Sequence, residues 1–490
     1  MNLIFEKRFR NGFNDIVDFC KNNRALIIIF FLSTFLFLYQ HFEILSWDFS
    51  AYVINAKYLF YNGNYFEVLR PPLVPFLLGI FLIVGNIGEY FYIIFVSLLF
   101  LYSSVKLSDH LYDKYWHRYN FKKNEVRFLF FLLSCNPFLI YFGVLEGSEL
   151  LALSFLELFL VFWLKNKFSA YYLGLAVLTR YNYLAFLPLV FINRDYKKVL
   201  KNLLLFVVIV SPWLIYNYLS WGNYFTSIVE SYNHNILLRE NIAWPFSFKD
   251  ILYATNILIP FALLGLVYSI VNAFKRQEIK YTLIFLAIAI FTIFDYYNTP
   301  FKISRYLFNL SLPMAYFSMV FLLNFTKNII SKKKLFFIIF LFWLLITSFI
   351  VIWEYNNRFS DNMYKEAANV IIDKDLLNCS IRSNHWVPVN YYTSNTYSLW
   401  MSPQEAIANN EIVLIFKDYQ NFSLDNTFII DETNSFILFS RANLTNQNCN
   451  RKFVYGRPDT NSICGVISER FEKLKLKNVV EKVCFLFNKK

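Results

Sequence analysis

Glycine and cysteine are scarce in this 490-residue chain, with 12 and 6 residues. The glycines form neither the Gly-x-x-x-x-Gly-Lys sequence of a nucleoside-triphosphate loop nor the Gly-x-Gly-x-x-Gly sequence of a dinucleotide-binding turn. These absences argue against an enzyme or pump that consumes a nucleotide. The cysteines and the five histidines also lack the spacing of a zinc site, so the sequence predicts no certain cofactor.

Apolar residues dominate instead, because 57% of the chain is hydrophobic and the mean hydropathy is +0.39. Several apolar runs reach or approach the roughly 20 residues that a helix needs to cross hydrocarbon. The sequence therefore predicts a polytopic α-helical membrane protein, with membrane lipids as partners. Much of the net charge of +13 lies in short loops between apolar runs, as positive-inside sorting requires, so we do not expect nucleic acid as a partner.

The distribution of basic residues predicts the topology. Residues 1–24 are rich in lysine and arginine and should be cytoplasmic. The first apolar run, Ala25–Tyr39, has no small-residue cleavage site after it and indicates a retained helix. It would place the loop 41–72 outside, whereas the basic loop Lys106–Arg127 should be cytoplasmic. Residues 25–354 would then contain about eleven membrane elements.

Three further runs have individual predictions. Leu73–Val84 is only about a dozen residues long and follows two prolines, so we expect a juxtamembrane or re-entrant helix that does not cross the membrane. Val126–Leu145 should cross outward as one element. Phe168–Phe191 lies between two basic loops and indicates a hairpin of two short helices, with Arg180 near its outer tip.

The composition changes after Glu354, and residues 355–490 are predicted to form a small soluble α/β domain outside the membrane. The predicted helices are Met363–Ile372 and Pro403–Asn409, and the predicted strands are Glu411–Phe416, Thr427–Ile430 and Phe436–Phe439. Four cysteines in this segment permit two disulfides in any of three pairings. They are Cys379, Cys449, Cys464 and Cys484, which leaves Cys20 and Cys135 unpaired.

Asp48 and Arg70 place a carboxylate and a guanidinium in the first outer loop. Asp48 opens a helical pattern with Tyr52, Ala56 and Phe60 on one face, which indicates an amphipathic helix at the membrane interface. An acid in that position can simply complement the helix dipole. The alternative is that Asp48 takes part in chemistry at the membrane surface.

A second acidic site is formed by Glu146 and Glu149 in the next outer loop. These residues could bind the hydroxyls of a ligand or a divalent cation, or they could start a helix that Ser148 caps. Glu157 lies inside the following apolar run, where an acid is costly, so we expect it to pair with a basic side chain.

Four basic residues are candidates to bind phosphate. Arg70 precedes two prolines, and Arg180 lies in the middle of an apolar segment, where an arginine costs about 2.5–3.5 kcal/mol on insertion scales. Lys302 and Arg305 lie at the outer end of a helix. The alternatives are a snorkelling Arg180 that pairs with lipid phosphate, and ordinary surface charges at 302 and 305.

The outer loop Trp221–Asp250 is rich in aromatic residues and carries His234. Aromatic faces pack against the C–H surfaces of sugars, although aromatic residues are abundant throughout this chain. We interpret His234 in this loop, together with Tyr52, as residues that would line the binding site of a sugar acceptor.

Four short motifs occur in order along residues 25–355. They are Asp48-x3-Tyr52-x3-Ala56 with Gly63 and Arg70-Pro-Pro-Leu73, GLAVLTRYNYLAFLPL at Gly174–Leu189, SPWLIYNYLSWGNYF at Ser211–Phe225, and SRYLFNLSLP at Ser304–Pro313. Together they resemble the GT-C glycosyltransferases, in particular the protein mannosyltransferase and lipid A aminoarabinose transferase branch. Two departures concern the acids, because Phe49 follows Asp48 where many of these proteins have glutamate, and the second outer acid is Glu146 or Glu149 rather than aspartate. The Trp-Trp-Asp-Tyr-Gly signature of the oligosaccharyltransferase branch is absent.

The resemblance implies an inverting transferase that moves a sugar from a polyprenyl-phosphate donor to a protein, lipid or glycan acceptor on the outer face of the membrane. Asp48 would be the general base, and Arg70, Arg180, Arg305 and Lys302 would bind the phosphate. A lipid-linked glycan flippase or polysaccharide transporter is the alternative, and it predicts no special role for Asp48. The sugar, the acceptor, the carrier lipid, metal dependence and oligomeric state stay open.

Overall fold

The computed structural model describes residue 15 and residues 17–119, 121–192, 195–242, 244–256, 258–273, 279–325, 332–357, 362–399, 402–417, 427–441 and 449. The α-helices up to residue 357 are α1 Arg24–Glu43, α2 Trp47–Phe60, α3 Leu73–Phe81, α4 Ile87–Lys114, α5 Lys123–Ser134, α6 Pro137–Phe142, α7 Glu149–Leu164, α8 Ala170–Thr179, α9 Tyr196–Trp221, α10 Thr226–Asn235, α11 Phe248–Thr255, α12 Leu258–Ala273, α13 Ile279–Asn298, α14 Ser311–Phe325 and α15 Lys332–Asn357. The 3-10 helices are Leu82–Val84, Trp116–Arg118, Tyr181–Ile192, Leu237–Ile242 and Ser304–Leu310.

Five of the described helical segments are long and apolar enough to cross a membrane, namely α1, α4, α9, α13 and Ser304–Phe325. The bent pair α11 and α12 makes a sixth if it forms one span. The prediction of a polytopic helical membrane protein is therefore confirmed. The prediction of about eleven membrane elements stays a prediction, because shorter apolar helices such as α8 add to these spans only if they also cross.

The run Val126–Leu145 is not the single helix that the sequence predicts. It is divided between α5 and α6. Asn136 caps α6, with its side chain accepting a hydrogen bond from Leu139 N (3.1 Å), and Pro137 occupies the first helical position. The Asn-Pro pair therefore starts a new helix within a run that is apolar on both sides.

Two segments predicted as loops are largely helical. α4 continues into the predicted basic loop Lys106–Arg127 as far as Lys114, and α5 begins at Lys123. The predicted outer loop Trp221–Asp250 contains α10 and a 3-10 helix. Lysine, arginine and glutamate are good helix formers, so charge marks the end of an apolar run but not the end of the helix.

Two short apolar segments have the lengths that the sequence predicts. α3 has nine residues, and the 3-10 helix Leu82–Val84 that follows it directly has three, so the run spans about 20 Å, which is less than the hydrocarbon thickness of about 30 Å. After it, Gly85 adopts φ +73° and ψ −158°, a backbone conformation that essentially only glycine allows, and leads into α4. The run Phe168–Phe191 forms α8 and a 3-10 helix, with Arg180 in extended backbone between them. Their arrangement relative to the membrane stays a prediction.

The C-terminal segment contains a five-stranded sheet with helices beside it. Its elements are α16 Asn362–Asp373, β1 Ile381–Ser383, α17 Trp386–Thr393, β2 Thr396–Ser398, α18 Pro403–Ala408, β3 Ile412–Phe416, β4 Phe428–Glu432 and β5 Phe436–Ser440. The strand order is β2-β1-β3-β5-β4. β1 is parallel to β2 and β3, whereas β5 is antiparallel to β3 and β4. The central strands β3 and β5 are fully buried and form the core of the sheet.

The predicted helices and strands of this segment are confirmed as α16, α18, β3, β4 and β5. The sequence missed β1 and β2, because strands of three residues are too short to show an alternating pattern. One disulfide joins Cys379 to Cys449, with a Cα–Cα distance of 5.5 Å. Cys464 and Cys484 lie outside the described residues. The domain division at residue 354 and the location of this segment outside the membrane stay predictions.

A cysteine in place of Asn86, between α3 and α4, tests the topology. If Leu73–Val84 does not cross, this exposed position is extracytoplasmic, and a membrane-impermeant maleimide should label it in intact cells. Cys20 is free and half-buried, as predicted, and serves as the internal control, because its predicted cytoplasmic location requires permeabilised cells for labelling. Cys135 is also free but buried. Labelling of residue 86 only after permeabilisation would show that the run crosses.

Candidate active site

Ser46 ties the start of α2 to the turn that carries Glu146. As the N-cap, its hydroxyl accepts a hydrogen bond from Phe49 N (3.1 Å), and it donates one to the carbonyl oxygen of Leu145 (2.7 Å). Asp48 lies in the first turn of the same helix. One capping serine therefore holds the segments of Asp48 and Glu146 side by side.

Gly147 shapes the turn between α6 and α7. Its φ of +86° lies in the left-handed region, and a Cβ atom there would lie 3.0 Å from the ring of Phe49. Its carbonyl oxygen accepts a hydrogen bond from the hydroxyl of Tyr92 (2.5 Å). Ser148 occupies the N-cap position of α7, but its side chain makes no capping hydrogen bond, contrary to the sequence-based alternative. The turn is thus packed closely against α2.

Asp48 lies between two guanidinium groups. Its Oδ1 is 2.7 Å from Arg70 Nη2, and its Oδ2 is 2.6 Å from Arg305 Nη1. Arg305 Nη1 is also 3.2 Å from Glu146 Oε2, and Arg70 Nε is 2.6 Å from Glu67 Oε2. The side chains of Asp48 and both arginines are 13–16% exposed. Segments far apart in the sequence therefore meet at one largely buried carboxylate.

The pKa of Asp48 reflects two opposing effects. Burial alone would raise it, but the charges of Arg305 and Arg70 and the hydrogen bonds that they donate outweigh burial and hold the pKa well below its usual range. Asp48 is therefore ionised at neutral pH. The lowered pKa stabilises the fold above the usual aspartate pKa of about 3.9, and this contribution is lost as the pH falls through the lower value.

Arg70 is held in place by residues that the sequence reasoning missed. Asn55 on α2 fixes the backbone of Glu67, because its Nδ2 donates to Glu67 O (3.0 Å) and its Oδ1 accepts from Glu67 N (2.7 Å). The guanidinium carbon of Arg70 also lies 5.5 Å from the ring centre of Tyr52, within cation–π range. The Glu-x-x-Arg spacing was the available signal for Glu67, whereas nothing in the sequence pointed to Asn55.

Arg180 and Glu149 form a second ion pair through Arg180 Nη1 and Glu149 Oε1. The same nitrogen lies 3.3 Å from the hydroxyl oxygen of Ser148. Glu149 is 1% exposed, and both charges act electrostatically on Arg305. The two sets of ion pairs thus form one site, which we call the charged cluster. It consists of Asp48, Glu67, Glu146, Glu149, Arg70, Arg180 and Arg305.

Two predicted site residues do not join the charged cluster. Lys302 Nζ donates to the carbonyl oxygens of Tyr297 (2.6 Å) and Thr299, and its role as a phosphate ligand stays a prediction. His234 is half-exposed, and its Nε2 lies 3.9 Å from Glu230 Oε2. Partial burial lowers the pKa of His234.

No basic side chain among the described residues pairs with Glu157, contrary to the sequence-based expectation. Its Oε2 accepts hydrogen bonds from the hydroxyls of Ser103 (2.5 Å) and Ser104 (2.9 Å) on α4. The residue is completely buried where α7 packs against α4. Small serines allow the two helices to approach closely, and their hydroxyls satisfy the buried acid.

The middle of α2 is buried on all sides rather than amphipathic, because residues Phe49–Ala56 are all buried, whereas Tyr58 and Phe60 near its end are exposed. The C-terminal segment covers the face of α2 that the sequence predicts to be exposed to water. The rings of Trp47 and Trp386 are 6.0 Å apart, and Lys57 Nζ donates to Tyr391 O (2.8 Å). The helix that carries Asp48 is therefore supported by α17 of the C-terminal segment.

The charged cluster can bind an anion and hold a base beside it. Guanidinium groups form strong charge-assisted hydrogen bonds with phosphate, often two at a time. Arg305 Nε is buried and has no hydrogen-bond partner in the part of the chain that the structure describes. Among those same residues, no group of three or more His, Cys, Asp or Glu side chains is placed to hold a metal ion. The divalent cation suggested for Glu146 and Glu149 stays an open prediction.

No family model matches the chain, and no curated protein matches its sequence. The fold is similar to the crystal structure of ArnT from Cupriavidus metallidurans bound to undecaprenyl phosphate, with a TM-score of 0.59 and 10% identity over 85% of this chain and 98% of ArnT. ArnT in the apo state gives a TM-score of 0.56 and 9% identity over 82% of this chain and 94% of ArnT. The resemblance to the GT-C aminoarabinose transferase branch is thus confirmed at the level of the fold.

Replacement of Glu149 by glutamine should destabilise the folded protein by about 1–3 kcal/mol, because it leaves the guanidinium of Arg180 without its counter-charge. Thermal unfolding of the purified protein in detergent measures this loss. Arg180→Gln should have a comparable effect, and the double variant should lose less than the sum of the two single losses. Additive losses would show that the two side chains do not stabilise one another.

Proposed function

We propose that this chain is an inverting glycosyltransferase. It moves a sugar from a polyprenyl-phosphate donor to a protein, lipid or glycan acceptor on the outer face of the membrane. One observation carries this proposal: Asp48 lies between Arg70 and Arg305 in a fold shared with ArnT, a protein crystallised with undecaprenyl phosphate. A carboxylate base beside an anion-binding group is the arrangement that transfer from a lipid phosphate requires.

Asp48 acts as the general base. It takes the proton of the acceptor hydroxyl while the hydroxyl oxygen forms a bond to the anomeric carbon of the sugar, which requires a carboxylate oxygen within about 3 Å of that hydroxyl. The bond between the anomeric carbon and the phosphate oxygen breaks, and its electron pair leaves with the polyprenyl phosphate. Attack on the face opposite the leaving group passes through an oxocarbenium-like state and inverts the configuration.

The arginines stabilise the leaving phosphate, which gains negative charge as its bond to the sugar breaks. Arg70 and Arg305 contact the proposed base, so they adjoin the place where the acceptor is activated. Arg180 adds a third positive charge near Arg305. Donors fixed before the reaction stabilise developing charge without reorganisation. The unpartnered Nε of Arg305 supplies one such donor.

The remaining site residues support the two substrates. Glu146 and Glu149 hold the arginines, and we propose that they also contact donor hydroxyls. Tyr52 and His234 lie on the acceptor side, where Tyr52 packs beneath Arg70. The C-terminal segment, which packs onto α2, takes part in acceptor selection, and the charge-based topology supports its location outside the membrane.

Asp48→Asn should abolish transfer while preserving the fold. Asparagine has the size of aspartate but takes up no proton at neutral pH, so kcat should fall by at least about 10²-fold. Transfer of labelled sugar from a pool of polyprenyl-phosphate sugars in membranes measures this loss. Asp113→Asn is the matched control, since Asp113 is 59% exposed and pairs with Lys123 away from the charged cluster, and it should transfer at the wild-type rate.

The same variant distinguishes the transferase from a lipid-linked glycan flippase. A flippase needs buried arginines but no carboxylate base, so it would continue to translocate its substrate after Asp48→Asn. Undiminished sugar transfer by a folded Asp48→Asn protein would contradict the proposal that Asp48 is the base of a transferase.

A further inference from the structure

Arg70 and Arg305, which we propose to bind the donor phosphate, already contact the protein's own acids. Arg70 uses Nη2 for Asp48 and Nε for Glu67, and Arg305 uses Nη1 for both Asp48 and Glu146. Asp48 contacts two guanidiniums, one through each carboxylate oxygen. It therefore occupies the position between Arg70 and Arg305 that a bridging phosphate would take.

We propose that Asp48 and the donor phosphate compete for the same guanidinium groups, so that donor binding displaces Asp48 and only then frees it to act as a base. This inference rests on the proposed function and adds a second role to Asp48, that of an internal anion held in the phosphate position. It also assigns positioning roles to Glu67 and Glu146, which keep Arg70 and Arg305 in place during the exchange.

The anchoring contacts allow the exchange without loss of the arginines. Arg70 keeps its bond from Nε to Glu67, whose backbone Asn55 fixes at both N and O. Arg305 keeps Glu146, and its Nε is available to a new acceptor. The donor phosphodiester carries one negative charge shared by two non-bridging oxygens, as a carboxylate does, so it can take the place of Asp48 at both guanidiniums. Asp48 loses both of its ion pairs in the exchange, because both go to the arginines that the phosphate engages.

The exchange links the two substrates. While both guanidiniums contact Asp48, they oppose protonation, and the carboxylate is a poor base. Once the phosphate takes their charge, the proton affinity of Asp48 increases, and an acceptor hydroxyl can pass its proton to it. The donor must therefore bind before the acceptor is activated, which protects the site from activating a hydroxyl when no sugar is present.

Binding of undecaprenyl phosphate to the full-length protein in lipid nanodiscs tests the competition. Asp48→Asn removes the charge of the competitor and keeps its size, so this variant should bind the lipid about tenfold more tightly than the wild type, although it transfers no sugar. Asp48→Ser should also bind more tightly, and it provides the same test if the asparagine variant does not fold. An unchanged dissociation constant in both variants would contradict the competition.

Glu67→Gln is the matched control for a general charge effect, because it removes one negative charge from the same arginine but at Nε. A larger gain for Asp48→Asn than for Glu67→Gln supports the competition. If the wild type binds the lipid and the two variants gain affinity equally, or gain none, the competition is overturned. The proposed transferase function is not affected by that result. Absence of wild-type binding would overturn the proposed donor, and the competition with it.

Discussion

The bridge from Asp48 to Arg70 and Arg305 is the interaction on which the site depends. Guanidiniums that are 13–16% exposed require counter-charges, and Asp48 supplies one through each carboxylate oxygen. The bridge forms only if α2, the Arg70 loop and the 3-10 helix of Arg305 meet at one point. Ser46 and Gly147 hold α2 against the turn that carries Glu146. The serine caps α2 and bonds to Leu145 O, and the glycine allows the turn to lie close to the ring of Phe49.

The same bridge creates a conflict that shapes the proposed chemistry. A carboxylate that stabilises two cations is strongly acidic, whereas a general base must accept a proton near neutral pH. The conflict disappears if the guanidiniums release Asp48 and bind the donor phosphate. They then stabilise the leaving group, and Asp48 is able to accept a proton. Four carboxylates facing three guanidiniums suit such an exchange, since Glu67 and Glu146 retain the arginines while Asp48 releases them.

The support around α2 extends beyond the membrane helices. Trp386 and Tyr391 of α17 contact Trp47 and Lys57, which lie at opposite ends of α2. Movement of the C-terminal segment would therefore act on the helix that carries Asp48. This contact gives the sheet-bearing segment a physical connection to the charged cluster, and it explains why α2 is buried where an interfacial helix would face lipid and water.

The sequence by itself determined the polytopic helical class, the strands and helices around β3 and β5, and the ordered motifs that indicate the fold, because hydropathy and local spacing are properties of neighbouring residues. It also singled out Asp48, Arg70, Arg180 and Arg305, since charges are costly near apolar segments. Only the tertiary structure decided that Glu67 and Asn55 hold Arg70, that Lys302 bonds to backbone carbonyls and that Glu157 bonds to serines. The partner of a charged side chain depends on where that side chain points and on which distant segments of the chain lie beside it. A local sequence pattern contains neither kind of information.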